Sequence, residues 1–237
     1  MVKAYGAEGE SRAPTTTGIR KTGKPIPETH EPQPTTEWVV VIPVKGTPTA
    51  KSRFGSGDNS ALASAIALDT VETALATEGV AGVLVVTSAE ASAAFDETEA
   101  LVLIEEEPVG LAGAIELGIE TVSEMGAPGR GIAVLLGDLP AMTSAELASA
   151  LVAAGAFDRA TVQDAAGEGT TLITAADGAT HASAFGPGSA ALHASAGYVT
   201  LDLPTSSGLR NDVDTLEALR SLAGRLNVHT AAALDAD

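Results

Sequence analysis

The sequence contains no cysteine, which excludes disulfides, iron–sulfur clusters and thiolate zinc sites. It has no apolar run near the roughly 18 residues of a membrane span, and its first thirty residues lack the apolar stretch of a secretory signal peptide. Basic residues are few, 13 against 31 acidic ones, and an acidic surface does not suit phosphate backbones or anionic lipids. We therefore expect a cytoplasmic protein that binds neither nucleic acid nor membrane.

The scarce basic residues are unevenly distributed. Residues 1–36 hold five basic and four acidic residues, which leaves eight basic and 27 acidic residues in the other 201. Three of those eight, Lys45, Lys51 and Arg53, fall within nine residues of one another. A basic cluster in so acidic a chain favours an anionic ligand, and the alternative is a solvated polar loop.

Two regions differ in composition. Residues 1–36 are rich in Pro, Thr, Gly and Glu without apolar periodicity, which predicts a disordered tail. Residues 37–237 have the length of a single globular domain with a sizeable core.

Within that domain, short apolar runs alternate with stretches of helical spacing. We predict strands at 38–44, 80–87, 101–105, 131–136, 160–163, 170–174 and 198–203. Helices are predicted at 60–77, 88–95, 110–124, 143–154, 188–196 and 214–222. Continuously apolar strands separated by helices are typical of a mostly parallel sheet covered on both faces. The fold class is thus a single Rossmann-like α/β domain, with a late β-hairpin insertion around the turn at 164–169.

Ligands of such sheets bind at the carboxyl ends of the strands, so the loops there are informative. The first of these loops carries Lys45, Lys51 and Arg53, whose charges suit a triphosphate, although the loop is not a Walker A sequence.

Three aspartates follow other strands. Asp138 comes directly after the strand at 131–136, while Asp212 and Asp214 lie one residue apart before the last predicted helix. Together they could hold Mg²⁺, which takes few protein carboxylates alongside substrate phosphates. Alternatively, they are turn and cap residues.

A second anion site is predicted late in the chain. Gly186 and Ser189 open a predicted helix whose N-terminus could bind a small anion. Arg210 is predicted to grip a phosphate, and His193, one turn along that helix, is interpreted as a structural residue.

Five stretches, in order, resemble the 2-phospho-L-lactate or phosphoenolpyruvate guanylyltransferases of coenzyme F-420 biosynthesis. They are IPVKGTPTAKSRF (42–54), LLGDLPAM (135–142), GEGTTLITA (167–175), FGPGSAALHASAG (185–197) and GLRNDVDT (208–215).

The resemblance implies a GT-A-type nucleotidyltransferase fold, GTP as donor, a small phospho-acid as acceptor and Mg²⁺ as cofactor. It implies that the metal is held by Asp138, Asp212 and Asp214. It also implies that the acid contacts the positions of Thr171, Gly186 and Ser189.

In the same family, a loop near the nucleotide has Pro followed by Gly-Leu-Asn. The matching nucleotide-binding positions here are Pro108, Gly110 and Leu111, and Ala112 stands in place of the Asn. That exchange removes an amide able to read a base or ribose.

Other functions remain open at this point. They include a sugar- or molybdopterin-nucleotide transferase and a non-catalytic nucleotide-binding module. The acid could be phosphoenolpyruvate, 2-phospho-L-lactate or 3-phosphoglycerate, and a homo-oligomer is compatible with the sequence.

Overall fold

The computed structural model describes residues 35–44, 60–107, 110–126 and 128–236. Within these ranges the strands are β1 (Glu37–Pro43), β2 (Val80–Ser88), β3 (Leu101–Glu105), β4 (Arg130–Leu135), β5 (Arg159–Gln163), β6 (Thr170–Ala175) and β7 (Val199–Thr200). The α-helices are α1 (Ser60–Leu75), α2 (Ala89–Ser92), α3 (Gly110–Met125), α4 (Ser144–Ala154), α5 (Ser189–Ser195), α6 (Leu216–Ser221) and α7 (Val228–Asp235). None of these helices combines the length and apolar character needed to cross a bilayer.

The strands form one sheet in the order β3-β2-β1-β4-β6-β5-β7. Its first four strands are parallel, β7 is parallel to β5, and β6 runs antiparallel to both neighbours. The mostly parallel sheet is therefore confirmed, and so is the late hairpin of β5 and β6. Because β6 also pairs with β4, the hairpin extends the main sheet rather than projecting from it.

Helices cover both faces of this sheet, as predicted. Alternate β1 residues point to opposite sides: Val40 and Ile42 join a buried cluster with residues of α1 and α4, and Val41 joins a second cluster with α3. A buried parallel strand of this kind needs apolar residues at successive positions, which is why its sequence reads as a continuous run.

The N-terminal boundary of the domain lies slightly earlier than predicted. Thr35, assigned to the tail from composition, is buried, and its backbone N–H donates to the carbonyl oxygen of Gly155 at 3.1 Å. The remaining tail, residues 1–34, lies outside the described residues.

Helix α7 was not predicted, because its cap is remote in sequence. Asn227 precedes the helix but makes no side-chain capping bond. Instead the buried carboxylate of Asp69 on α1 accepts the backbone N–H groups of His229 (3.1 Å) and Thr230 (2.7 Å). A carboxylate in this place satisfies two otherwise unpaired donors at the start of the helix.

We expect Asp69→Asn to lower the free energy of unfolding by about 2 kcal/mol, because one of the two N–H groups would face an amide donor. Urea unfolding monitored by circular dichroism checks this. Asp96→Asn, at an exposed aspartate, is the control. Equal stability of the two variants would contradict the capping role.

Candidate active site

A cavity of about 490 Å³ lies at the carboxyl ends of β1 and β4. Strands β1 and β4 are neighbours in the sheet. The chain leaves β1 through α1, which packs on one face of the sheet, and enters β4 from α3, which packs on the other face. Such a topological switch point is where open α/β sheets bind ligands. The volume is that of a small-molecule site. Its walls include Pro43 and Val44 at the end of β1, and Ala63, Ile66 and Ala67 of α1.

Asp138, Asp212 and Asp214 all line this cavity. The backbone N–H of Val213 donates to the carbonyl oxygen of Asp138 at 3.0 Å, which holds the 212–214 segment beside the end of β4. The loop after β4 is fixed in turn by Thr70 of α1, whose hydroxyl oxygen accepts from the N–H of Leu139 at 3.2 Å. The structure therefore brings together the three aspartates that the sequence analysis selected.

The three carboxylates do not form a ready-made metal cage. In the part of the chain that the structure describes, no group of three or more Asp, Glu or His side chains is arranged to hold a metal ion. Asp138 and Asp212 are half-buried, while Asp214 is exposed. The predicted three-carboxylate ligand set is thus not assembled, but one or two carboxylates beside a cavity with room for substrate phosphates match the donors that Mg²⁺ takes.

Another part of the cavity lining comes from the loop before α5. Phe185, Gly186, Pro187, Gly188 and Ser189 line it, together with Thr170 of β6. Gly186 and Gly188 have φ angles of 133° and 73°, which side chains other than glycine rarely adopt. The predicted positions Gly186 and Ser189 therefore lie at the cavity.

Thr171 lies elsewhere. Its side chain is fully buried, and its hydroxyl donates to the carbonyl oxygen of Leu209 at 2.7 Å. Val162 pairs with Leu172 and Gln163 with Thr170, so Thr171 is the extra residue of a β-bulge. Bulges redirect side chains locally, and here Thr170, rather than Thr171, lines the cavity.

Arg210 does not line the cavity either. Its guanidinium donates to the carbonyl oxygens of Gln163 (3.0 Å), Asp164 (2.7 Å) and Leu203 (2.7 Å). The planar fork of five donors suits several carbonyls at once. The structure therefore gives Arg210 a role in joining loops, where the sequence analysis predicted a phosphate ligand.

Sequence reasoning missed Asp164 and Glu168, which also line the cavity. The carboxylate of Asp164 accepts the backbone N–H groups of Glu168 (3.0 Å) and Gly169 (2.7 Å), which closes the turn between β5 and β6. An Asp at the start of a Gly-rich turn is a signal for this geometry.

Glu146 joins the start of α4 to the segment that precedes Asp212. The predicted N-terminus of α4 is confirmed as a capping box of Thr143 and Glu146. The Glu146 carboxylate also accepts the backbone N–H of Gly208 at 2.9 Å, at the start of the 3₁₀ turn that leads to Asp212. Burial alone would raise the pKa of Glu146, but hydrogen bonds from Thr143, Gly208 and Ser207 outweigh it and lower that pKa.

The predicted triphosphate loop, with Lys45, Lys51 and Arg53, lies outside the described residues, as does Pro108. Of the other predicted nucleotide-binding positions, Leu111 lines the cavity and Gly110 begins α3.

Two histidines lie near Tyr198, His193 fully buried and His181 half-buried. His181 Nε2 donates to the carbonyl oxygen of Ile132 at 3.0 Å, and its Nδ1 accepts from the Tyr198 hydroxyl at 3.1 Å. Burial, with smaller contributions from the charges of Arg159 and His193, lowers the pKa of His181 from 6.5 to about 4, despite the opposing hydrogen bond to Ile132. Burial also lowers the pKa of His193.

Acid should therefore destabilise the fold through His181. Its pKa is 6.5 unfolded and about 4 folded, so the unfolded state binds more protons in this range. Stability is then complete above pH 6.5 and is lost as the pH falls. From pH 7.5 to pH 5 we expect His181 to account for about 2 kcal/mol of lost unfolding free energy. Urea titrations of wild type and His181→Phe measure this, and equal losses in both would contradict it.

Comparison with known proteins identifies the family. The chain is 44% identical over 202 residues to the phosphoenolpyruvate guanylyltransferase of Streptomyces coelicolor, covering 83% of this chain and 95% of that one. The chain belongs to the phosphoenolpyruvate guanylyltransferase family. It is accordingly a nucleotidyltransferase of the guanylyltransferase class, as the five sequence stretches predicted. No family model matches the chain.

Solved structures confirm the fold of this guanylyltransferase family member. A proposed nucleotide-diphospho-sugar transferase from Desulfovibrio desulfuricans G20 superposes with a TM-score of 0.65 at 17% identity, covering 85% of this chain and 95% of that one. Rv0371c from Mycobacterium tuberculosis H37Rv, in complex with manganese, superposes with a TM-score of 0.55 at 19% identity, covering 79% of this chain and 98% of that one.

Proposed function

We propose that this protein transfers GMP from GTP to a phosphorylated three-carbon acid, phosphoenolpyruvate or 2-phospho-L-lactate, and releases pyrophosphate in coenzyme F-420 biosynthesis. One observation carries the proposal. In a member of the phosphoenolpyruvate guanylyltransferase family, a single cavity is lined both by Asp138, Asp212 and Asp214 and by the 185–189 loop.

The reaction balances without a protein base. An oxygen of the acid's phosphate attacks the α-phosphorus of GTP, a P–O–P bond forms, and the bond to pyrophosphate breaks. A phosphate dianion is nucleophilic at neutral pH, so catalysis consists of positioning and charge neutralisation.

Mg²⁺ is the proposed cofactor, held by Asp138 and Asp212 with Asp214 beside them. When bound, it neutralises charge between two anionic substrates. The manganese bound by Rv0371c is a divalent ion on the same fold. All three aspartates line the cavity, and the bond from the Val213 N–H to the Asp138 carbonyl oxygen holds the 212–214 segment beside the loop after β4.

The remaining assignments come from the sequence. Lys45, Lys51 and Arg53 are proposed to bind the triphosphate, and the loop from Pro108 to Leu111 to contact the nucleoside. The 185–189 loop, with its backbone N–H groups, is proposed to hold the acid.

Pyrophosphate release tests the proposal. Each of the four nucleoside triphosphates is supplied with phosphoenolpyruvate, 2-phospho-L-lactate, 3-phosphoglycerate or a sugar 1-phosphate, with Mg²⁺ or with excess chelator. We expect release with GTP and a three-carbon acid, and only with the metal. Release with the sugar phosphate alone would favour the sugar-nucleotide alternative. No release in any combination would reject catalysis and favour a nucleotide-binding module.

A further inference from the structure

The side chain of His193 joins β6 to the loop before α5. It is fully buried on α5. Its Nδ1 lies 3.0 Å from the hydroxyl oxygen of Thr170, and its Nε2 lies 2.9 Å from the backbone nitrogen of Ala184. Phe185 and Tyr198 pack edge-on against the ring, with centroids at 5.1 and 5.2 Å. The ring is therefore fixed in both position and orientation.

These two contacts determine where the imidazole proton lies. A backbone N–H only donates, so Nε2 must accept from Ala184 and carries no proton. A neutral imidazole then carries its proton on Nδ1 and donates it to Thr170. Because the Thr170 oxygen accepts this bond, its own hydroxyl proton remains for another acceptor, and no described side chain or carbonyl takes it.

Thr170 lines the same cavity as Gly186 and Ser189, through which that acceptor can arrive. Only 3% of the surface of Thr170 is exposed. The backbone N–H of Ala190 also donates to the carbonyl oxygen of Glu168, at 3.2 Å, so the start of α5 is tied to the turn before β6. The loop, the turn and Thr170 thus form one connected wall.

We propose that His193 is a positioning residue for the acid: its neutral ring presents the Thr170 hydroxyl as a donor to an anionic oxygen and holds the 184–189 loop against β6. The inference rests on the proposed function, because it takes the phosphorylated acid as the ligand of this wall. The ring itself touches no substrate. Its effect passes through Thr170 and Ala184.

Steady-state kinetics of two matched threonine variants test this. In Thr170→Val we expect KM for phosphoenolpyruvate to rise at least about 10-fold, since a hydrogen bond to a charged group is lost. KM for GTP should change less than about twofold, and Thr170→Ser should restore the acid KM. The control is Thr174→Val, on the same strand, whose hydroxyl bonds to Ala160 away from the cavity. An unchanged acid KM in Thr170→Val, or an equal rise in Thr174→Val, would overturn the proposal.

The role of His193 has its own readouts. In ¹⁵N-histidine spectra of the full wild-type chain at pH 7, we expect His193 protonated on Nδ1 alone, and an Nε2-protonated or doubly protonated ring would refute the proposal. His193→Phe combined with Thr170→Val should raise the acid KM by clearly less than the product of the two single increases, because both remove the Thr170 donor and only the contact to Ala184 is lost in addition. If His193→Phe does not fold, the wild-type spectrum decides.

The same variants separate this inference from the proposed function. If the wild type releases no pyrophosphate with any acid, the proposed function fails. Calorimetric titration with phosphoenolpyruvate then replaces KM. A loss of phosphoenolpyruvate affinity in Thr170→Val, but not in Thr170→Ser or Thr174→Val, supports the positioning role. Equal affinity in all variants, or no binding to wild type, rejects it.

Discussion

Asp212→Asn should lower kcat by at least about 100-fold, because it removes a carboxylate that would bind the metal between two anionic substrates. Asn has the same shape, and the backbone bond from Val213 to Asp138 does not involve the Asp212 side chain. Activity should therefore fall while the thermal midpoint stays within a few degrees of wild type. Pyrophosphate release at saturating GTP and phosphoenolpyruvate, with Mg²⁺ varied, measures the effect.

Asp202→Asn is the matched control for that variant. Asp202 is an exposed aspartate in the same part of the chain and does not line the cavity. We expect wild-type kcat from it at every Mg²⁺ concentration. A wild-type rate for Asp212→Asn at limiting Mg²⁺ would show that this carboxylate does not bind the metal.

Gly208→Ala should destabilise the fold by about 3 kcal/mol, because the added methyl has no room. Gly208 is buried at the start of the 3₁₀ turn Gly208–Arg210. A Cβ there would overlap the carbonyl group of Ala141 and lie 2.7 Å from the Cα of Met142, which are backbone atoms unable to rotate away. Moving this turn would also displace Asp212. Urea unfolding, with activity measured in parallel, checks both effects.

Gly224→Ala isolates the steric cause. Gly224 also lies in a 3₁₀ turn, Ala223–Arg225, but it is exposed and a Cβ there meets nothing within 4 Å. Its unfolding free energy should change by less than about 1 kcal/mol. Similar losses in both variants would mean that backbone conformation, not the Ala141 contact, sets the effect.

Much of the fold could be predicted because its signals are local. The buried parallel strands read as continuous apolar runs, and Thr143 with Glu146 three residues later marks the N-terminus of α4. Two features depend on distant partners and could not be predicted. Helix α7 takes its cap from Asp69 of α1, and only Val199 and Thr200 of the predicted strand at 198–203 pair with β5.

The candidate site likewise has features that the sequence predicts and features that depend on the folded chain. The rule that ligands bind at strand ends was enough to predict that Asp138, Asp212 and Asp214 lie at one site, and all three line the cavity. It could not reveal the β-bulge that buries Thr171 and leaves Thr170 at the wall. Nor could it show that carbonyl oxygens from separate loops would surround Arg210, since those loops meet only in the folded chain.

In the proposed reaction, the α-phosphorus of GTP moves, as part of GMP, to the phosphate of a three-carbon acid. GTP labelled with ³²P at the α position, incubated with phosphoenolpyruvate, Mg²⁺ and the wild-type protein, tests it directly. The label should appear in a product whose mass is that of GMP joined to the acid, with unlabelled pyrophosphate released in equal amount. Label that stays in GTP, or appears only in GMP or GDP, would contradict this transfer to the acid.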